Sequence, residues 1–354
     1  MSKQLYSGMT RRLDAADECP ARDGYAMPAE WAPHARTWMC WPCRIEAWGS
    51  DDAMLRAKQA YARVARAISS FEPVTMAARP NDVPEARLAT AGKVEIFECE
   101  LDDSWARDIG PTFVTGEGGC AGVVWQFNAW GNKYANYAKD DAFAHRLLQH
   151  EQAKIYEAPL VCEGGAIHVD GEGTLIVMEQ TLLNANRNPN LTQQQVEERL
   201  ALFTGARKIL WLGEGFADEE TDAHVDNIAC FAKPGAVIVG VPPKAHPDFA
   251  PAMEIIRRLR TARDAQGRAI EVVEIAQPAK LGEDWRGRPL ASSYVNFYLA
   301  NGGLVMPAFD DPNDEKARAL LADCFPGRDI LQVEALDIVQ GGGGIHCITQ
   351  QEPE

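Results

Sequence analysis

Nowhere in the 354 residues is there an uninterrupted apolar run approaching the roughly 18 residues that a bilayer-crossing helix needs. The N-terminal stretch MSKQLYSGMTRRLDAADECP lacks the apolar core of a signal peptide, so a cytoplasmic protein with no membrane partner is expected. Basic residues are scarce too. Thirty-five Lys and Arg stand against 51 Asp and Glu, a formal charge of −16 with His neutral, and the pI is near 4.9. That field repels nucleic acid and draws in small cations. Motifs for a hydroxyl nucleophile are missing: there is no G-x-S-x-G elbow and no kinase-like set. The nine cysteines, an odd number spread along the chain, do not make a secreted disulfide framework. Cys40 and Cys43 form the only close pair. They follow a strand-like run at 37–41, and helical spacing starts only after Ser50, whereas a redox dithiol needs its first Cys at a helix N-terminus. Two unrelated thiols are expected there. Asn190-Leu191-Thr192 fits a glycosylation sequon but is discounted in a cytosolic chain.

What is present is ordinary globular material, 46% hydrophobic and 24% charged. Helical spacing occurs at 53–71, where Met54, Ala57, Tyr61, Val64, Ile68 and Phe71 share a stripe, and again at 140–150, 192–203, 251–262 and 313–325. Thr192 with Gln195 makes a capping box closed by Gly205, and Pro312 sits where a helix can begin. Short Val-, Ile-, Phe- and Trp-rich runs lie between, at 74–77, 94–97, 122–125, 175–178, 209–212 and 236–239. Two hairpins are expected, 166–170 with 174–178 and 296–299 with 304–306, across glycine-bearing turns. Residues 277–290 read as a long surface loop. No low-complexity linker divides the chain, so one α/β domain over 1–354, built of repeated ββαβ-like units, is expected.

Polar side chains inside these runs carry the chemistry. In Thr221-Asp222-Ala223-His224-Val225-Asp226-Asn227, a strand would put Asp222, His224 and Asp226 on one face. A carboxylate beside an imidazole suits general acid/base work; His with two carboxylates also suits a metal, and a solvated polar face is the plain alternative. After Gly341-Gly342-Gly343-Gly344 comes Ile345-His346-Cys347. Four glycines let backbone come close to a ligand, but the Lys-Ser/Thr pair of a phosphate loop is absent. Neighbouring residues there point to opposite faces, so His346 faces away from Cys347 and reads as structural, leaving His224 as the candidate base for the thiol. A buried structural Cys is the alternative. Asp108 lies three residues after Trp105 and ahead of a Gly110-Pro111 turn, and Glu163 ends an apolar run just before Gly164-Gly165. A carboxylate so placed needs a cationic partner, either an internal Arg such as Arg107 or a bound guanidinium.

Seven segments resemble the agmatine deiminases: MPAEWAPHARTWMCWP (27–42), DDSWARDIGPTFV (102–114), EGGAIHVDGEGT (163–174), LLNANRNPNLT (182–192), ETDAHVDN (220–227), SYVNFYLANGG (293–303) and GGGGIHCITQQEP (341–353). The match runs in order along nearly the whole chain. The wider family includes bacterial peptidylarginine deiminases and, more distantly, arginine deiminases and amidinotransferases. The resemblance implies the pentein fold, a five-bladed α/β propeller with its active site on the central axis. It assigns Cys347 as nucleophile, His224 as general acid/base, Asp108 and Asp226 as the carboxylates that grip a guanidinium, and Glu163 as the residue that orients His224. It places Trp105 on the pocket wall, Asn296 near the nucleophile, and Asp222 beside the substrate or bracing the turn. Two departures stand out: Ala223 replaces the usual Gly before the His, and 127–134 leads into a shorter loop than some members have.

The activity so implied is hydrolysis of agmatine to N-carbamoylputrescine and ammonia through an amidino-cysteine, in putrescine formation, with no metal or cofactor; a homo-oligomer is compatible with the resemblance. The alternatives are a deiminase of arginine or peptidyl-arginine, a metallohydrolase using Asp222, His224 and Asp226, and a guanidinium-binding protein without catalysis.

Overall fold

The apolar stripe at 54–68 is helical because small and branched residues return every three or four positions, and Ser50 starts it by accepting the Ala53 N–H at 3.2 Å. A computed structural model describes residues 18–354 apart from 218, 219 and 281; most of the stretch read for a targeting signal lies outside them. In it, helix α1 (Asp51–Ile68) buries Ala57, Ala60, Tyr61, Val64, Ala65 and Ile68. Burying each of the larger side chains is worth roughly 1.5–3 kcal/mol, which holds the helix on its sheet. The helix connects two parallel strands, β1 (His34–Cys40) and β2 (Val74–Ala78), and β3 (Glu95–Glu98) extends that sheet.

Four further units repeat one plan, a hairpin followed by a helix that returns the chain to a parallel third strand. They are β4 (Thr112–Gly116), β5 (Gly119–Gln126), α2 (Phe143–His150) and β6 (Lys154–Val161); then β7 (Ile167–Val169), β8 (Thr174–Val177), α3 (Gln193–Thr204) and β9 (Lys208–Trp211). Next come β10 (Ala229–Lys233), β11 (Ala236–Val241), α4 (Phe249–Thr261) and β12 (Glu271–Ala276); last, β13 (Tyr298–Ala300), β14 (Gly303–Ala308), α5 (Asp314–Cys324) and β15 (Asp329–Glu334). The first unit borrows its hairpin partner: β16 (Thr349–Pro353) runs antiparallel to β1, pairing His34 with Pro353 and Met39 with Thr349. Among the described residues the result is five small sheets, one of four strands and four of three. This is the mixed α/β architecture expected, with the ββαβ unit as its repeat.

The capping box of α3 forms as read, and Gly205 ends the helix at φ +75°. The helix read at 140–150 is interrupted. A turn at Ala138–Asp141 precedes α2, and the Asp140 carboxylate is drawn inward to accept the N–H groups of Asp102 and Asp103 at 2.8 and 3.0 Å. Segment 277–290 has no helix or strand among its described residues, as expected of a loop. The seam between the last unit and the first is polar: buried Glu72 accepts from Thr37 Oγ1 at 2.5 Å, Tyr298 OH at 3.0 Å and the Asn301 N–H at 2.6 Å. All nine cysteines are free, and burial raises the Cys40 and Cys43 thiols well above their ordinary range, the opposite of the lowered thiol that a redox dithiol uses. Among the described residues no helix is long and apolar enough to cross a membrane.

Candidate active site

Each unit is entered through a short irregular segment just ahead of its first strand, and the candidate residues all sit there. Asp108 belongs to the turn Ala106–Ile109 before β4, and Glu163 opens the turn Gly164–Ala166 before β7. His224 opens the turn Val225–Asn227, which holds Asp226, before β10; Asn296 precedes β13, and Cys347 precedes β16. Hydrogen bonds join these segments across unit boundaries. Arg107 N–H donates to the Cys347 carbonyl at 3.1 Å, Gly165 N–H to Asp108 Oδ1 at 3.0 Å, His346 N–H to Asn296 Oδ1 at 2.8 Å, and Asn296 Nδ2 to the Asp226 carbonyl at 3.3 Å. Residues far apart in sequence thus converge on one buried centre.

Segment 221–227 is not the strand that its alternation suggested. Asp222 and Ala223 take φ of +59° and +67°, and a helical turn follows. Thr181 Oγ1 donates to both the Asp222 and Ala223 carbonyls, at 2.7 and 2.8 Å, which holds this conformation. The positive φ at 223 accounts for the glycine usual there. Because the backbone turns, Asp222, His224 and Asp226 do not share a face. Asp222 Oδ2 is held instead by Arg187 at 2.9 Å, Asn186 at 2.9 Å and Lys133 at 3.0 Å. Its place is in the frame behind the site, and the metal trio read from the spacing is split.

At the centre, His224 is fully buried between two carboxylates, Nδ1 3.6 Å from Asp108 Oδ1 and Nε2 3.5 Å from Glu163 Oε2. Burial works against a charged ring, but Asp108, Glu163 and Asp226 outweigh it and raise the pKa to about 9. His224 is therefore an imidazolium at neutral pH. Glu163 is buried as well, yet the charge of Arg187 overcomes the cost and brings its pKa down to about 2, with Arg187 Nε donating to Oε1 at 2.6 Å. The internal cation for Glu163 is thus Arg187; Arg107 turns instead towards Glu30, with Nη1 3.6 Å from Oε1.

Asp108 is pinned by Trp130 Nε1, which donates to Oδ2 at 2.9 Å, and by Gly165. Burial, with the charges of Asp226 and Glu163, raises its pKa. Asp226 titrates low. Burial opposes its charge, but the contact of His346 Nδ1 with Oδ2 at 2.8 Å prevails, and Oδ1 has no partner among the described residues. Cys347 Sγ lies 3.5 Å from Asp226 Oδ2 and accepts from Asn296 Nδ2 at 3.2 Å. Burial, then Asp226 and Asp108, raise this thiol well above its usual range, and the Gly344 N–H and Asn296 work the other way.

Trp105 is buried, stacks on Trp48 with ring centroids 5.9 Å apart, and backs the Gly343 segment beside Cys347. The glycine run serves close approach, as read, but to the protein's own side chains: Trp48, Glu220, Trp105 and Asn296 leave no room for Cβ atoms at 341–344. Five residues of this centre escaped the sequence reading of chemistry: Glu30, Trp130, Arg187, His346 as a carboxylate partner, and Arg107 as the partner of Glu30. Glu30, Arg107, Arg187 and His346 all fall inside the resembling segments, which was the available signal.

The geometry has counterparts. The model of the Porphyromonas-type peptidyl-arginine deiminase family matches residues 26–353. The agmatine deiminase of Stutzerimonas stutzeri is 44% identical over 94% of this chain and 97% of its own. Among solved structures, the agmatine deiminase of Enterococcus faecalis superposes with a TM-score of 0.92 at 34% identity, covering 97% of this chain and 100% of that one. A cysteine-to-serine variant of C. jejuni agmatine deiminase with substrate bound gives 0.84 at 25% identity, over 93% and 96% of the two chains. With nearly its whole length matched and a thiol, an imidazolium and two carboxylates gathered at the centre of five ββαβ units, the chain belongs to the Porphyromonas-type peptidyl-arginine deiminase family.

Proposed function

We propose that this chain is an agmatine deiminase, releasing ammonia and N-carbamoylputrescine, and that it acts in the cytoplasm as one pentein domain without metal or cofactor. The observation that carries the reading is the surplus of acid around one buried thiol: Asp108 lies 3.6 Å from His224, and Asp226 lies 3.5 Å from Cys347. A planar guanidinium offers paired N–H donors to those two carboxylates, and the Asp226 Oδ1 left without a partner is one acceptor for them. Its positive charge also offsets the carboxylates that hold the Cys347 thiol protonated, so substrate arrival favours the thiolate.

The steps follow from these placements. As the cation binds, Cys347 passes its proton by way of Asp226 Oδ2, 3.5 Å from Sγ, to water, and the thiolate attacks the guanidinium carbon, forming a neutral tetrahedral adduct. His224 donates its proton to one nitrogen, the C–N bond breaks and ammonia departs, leaving an amidino group on Cys347. His224, now neutral, takes a proton from water; the hydroxide adds to the amidino carbon, the C–S bond breaks, the hydroxyl proton passes to the departing sulfur, and the ureido product leaves with the thiol and the protonated His224 restored. Glu163 holds His224 in place through both halves.

Selectivity follows from charge and enclosure. Cys347 is 3% exposed and His224 is 0% exposed, an enclosed setting that favours a small free substrate over a residue within a peptide chain. Free arginine needs a cation for its carboxylate, and nearby cations are engaged: Lys133 with Asp222, Arg286 and Arg288 with Glu220. The names of the relatives point the same way. The test is to measure ammonia and the ureido group together, with agmatine and arginine in parallel and Cys347→Ala as control. Both products from agmatine alone, lost in the variant, are expected. Turnover of arginine instead would move the substrate, and silence with both would leave binding without catalysis.

A further inference from the structure

Behind Asp226 lies a chain of charged groups that the mechanism above does not use. Glu30 sits ahead of β1, 5% exposed. Its Oε1 is 2.8 Å from His346 Nε2 and 3.6 Å from Arg107 Nη1, and its Oε2 is 3.5 Å from His168 Nε2. The other nitrogen of His346, Nδ1, is 2.8 Å from Asp226 Oδ2. An ionised carboxylate only accepts hydrogen bonds, so a ring with a carboxylate at 2.8 Å on each nitrogen must carry a proton on both. A neutral ring donating to Glu30 would turn a lone pair on Asp226. The backbone fixes the same ring, since Arg107 Nε donates to the His346 carbonyl at 3.4 Å and the His346 N–H goes to Asn296.

We infer that Glu30 and His346 are positioning residues for the guanidinium site: Glu30 keeps His346 doubly protonated, and His346 clamps Asp226 by Oδ2 so that Oδ1 is turned to the substrate cation. The inference rests on the assignment of Asp226 to the guanidinium made above. Glu30 touches neither substrate nor thiol; it acts through two intervening groups. Burial opposes the charge of Glu30, but His346 and Arg107 beside it hold its carboxyl well below the usual carboxylate range.

The test compares two reagents that alkylate Cys347 with loss of halide: 2-chloroacetamidine, a cation that needs the carboxylates, and iodoacetamide, which is neutral. The unaltered protein is expected to favour the cation strongly. In Glu30→Gln the preference is expected to fall by about tenfold or more, together with kcat/KM for agmatine, while the iodoacetamide rate stays within about threefold, because a misplaced carboxylate loses aim and the thiol remains accessible. Glu30→Asp, which keeps the charge, is expected to lie between the two, and it decides the matter by the same ratio if Glu30→Gln does not fold. An unchanged preference in either folded variant overturns the inference, as does a parallel fall of both rates with a lowered melting temperature, which marks a merely structural role. An unaltered protein with no preference for the cation overturns the assignment of Asp226 and this inference with it.

Discussion

Arg187 Nε lies 2.6 Å from Glu163 Oε1, and neither side chain has any exposure to solvent. The same guanidinium holds Asp222 through Nη1 at 2.9 Å, so one cation fixes the carboxylate that lies 3.5 Å from His224 and the turn that carries the His. Removing one member of a buried pair strands the other. Arg187→Met is expected to cost about 3–5 kcal/mol in urea unfolding. A loss below about 1 kcal/mol would refute the buried-pair account. The acid limb of stability checks the sign. With a folded pKa near 2 against an ordinary 4.5, Glu163 stabilises the fold above pH 4.5, and that contribution is lost as pH falls through about 2. In Arg187→Met the folded pKa rises towards the ordinary value, so this contribution shrinks and less stability is lost on acidification.

Glu163 in turn raises the pKa of His224, so Glu163→Gln is expected to move the basic limb of kcat/KM, set near pH 9 by loss of the His224 proton, acidward by on the order of one unit. Asp108 and Asp226 remain and keep it above the ordinary imidazole range. The same proton is linked to stability: a folded pKa of about 9 against 6.5 gives stabilisation that is full below pH 6.5 and lost as pH rises through 9. A limb that stays where it was would break the connection between these two residues.

Gly165 is small for a steric reason. A Cβ there would stand 2.6 Å from His224 Nδ1, 2.9 Å from Asp108 Oδ1 and 3.0 Å from Asp226 Oδ2. Gly165→Ala is expected to reduce kcat/KM about a hundredfold or more by pushing the three apart, since a displacement of about an ångström suffices for that. Overpacking typically costs about 1–3 kcal/mol, so the variant should still fold. Near-normal turnover in a folded variant would show that the three groups need not converge.

Thr192 gives the contrast. It caps α3 on the outside of the molecule, with its hydroxyl accepting the Gln195 N–H and Gln195 Oε1 accepting the Thr192 N–H. Thr192→Ala is expected to lower stability by about 1 kcal/mol and leave agmatine turnover unchanged. Altered turnover would mean that α3 communicates with the centre.

The periodic parts of the fold were legible because they are local. The stripe of α1, the capping box of α3 and the two glycine hairpins each declare themselves within a few residues. Segment 221–227 misled because a seven-residue alternation of polar and small side chains fits a tight turn as well as a strand, and nothing in it announces two positive φ values. Cys347, His224, Asp108 and Asp226 were marked by their chemistry and neighbours and given roles by resemblance, which alone supplied Asn296, and the structure brings the five together. The partnership of Glu30 with His346 was out of reach, since 316 positions separate them and neither carries a local mark of the other. Arg187 was hidden likewise: a cation in an Asn-rich loop reads as solvated until the fold buries it.

The pairing of β16 with β1 bears on how the molecule comes to exist. Trp38 of β1 reaches Glu352 of β16 across 314 positions, donating Nε1–H at 2.7 Å. Until that closure the first sheet presents β1 as an open edge, and Cys347, two residues ahead of β16, is not yet held beside Asp226 and Asn296. Such distant closure is slow, and an open apolar edge invites pairing with other chains. Catalytic competence should therefore require β16 to pair with β1, which makes turnover itself a reporter of that closure.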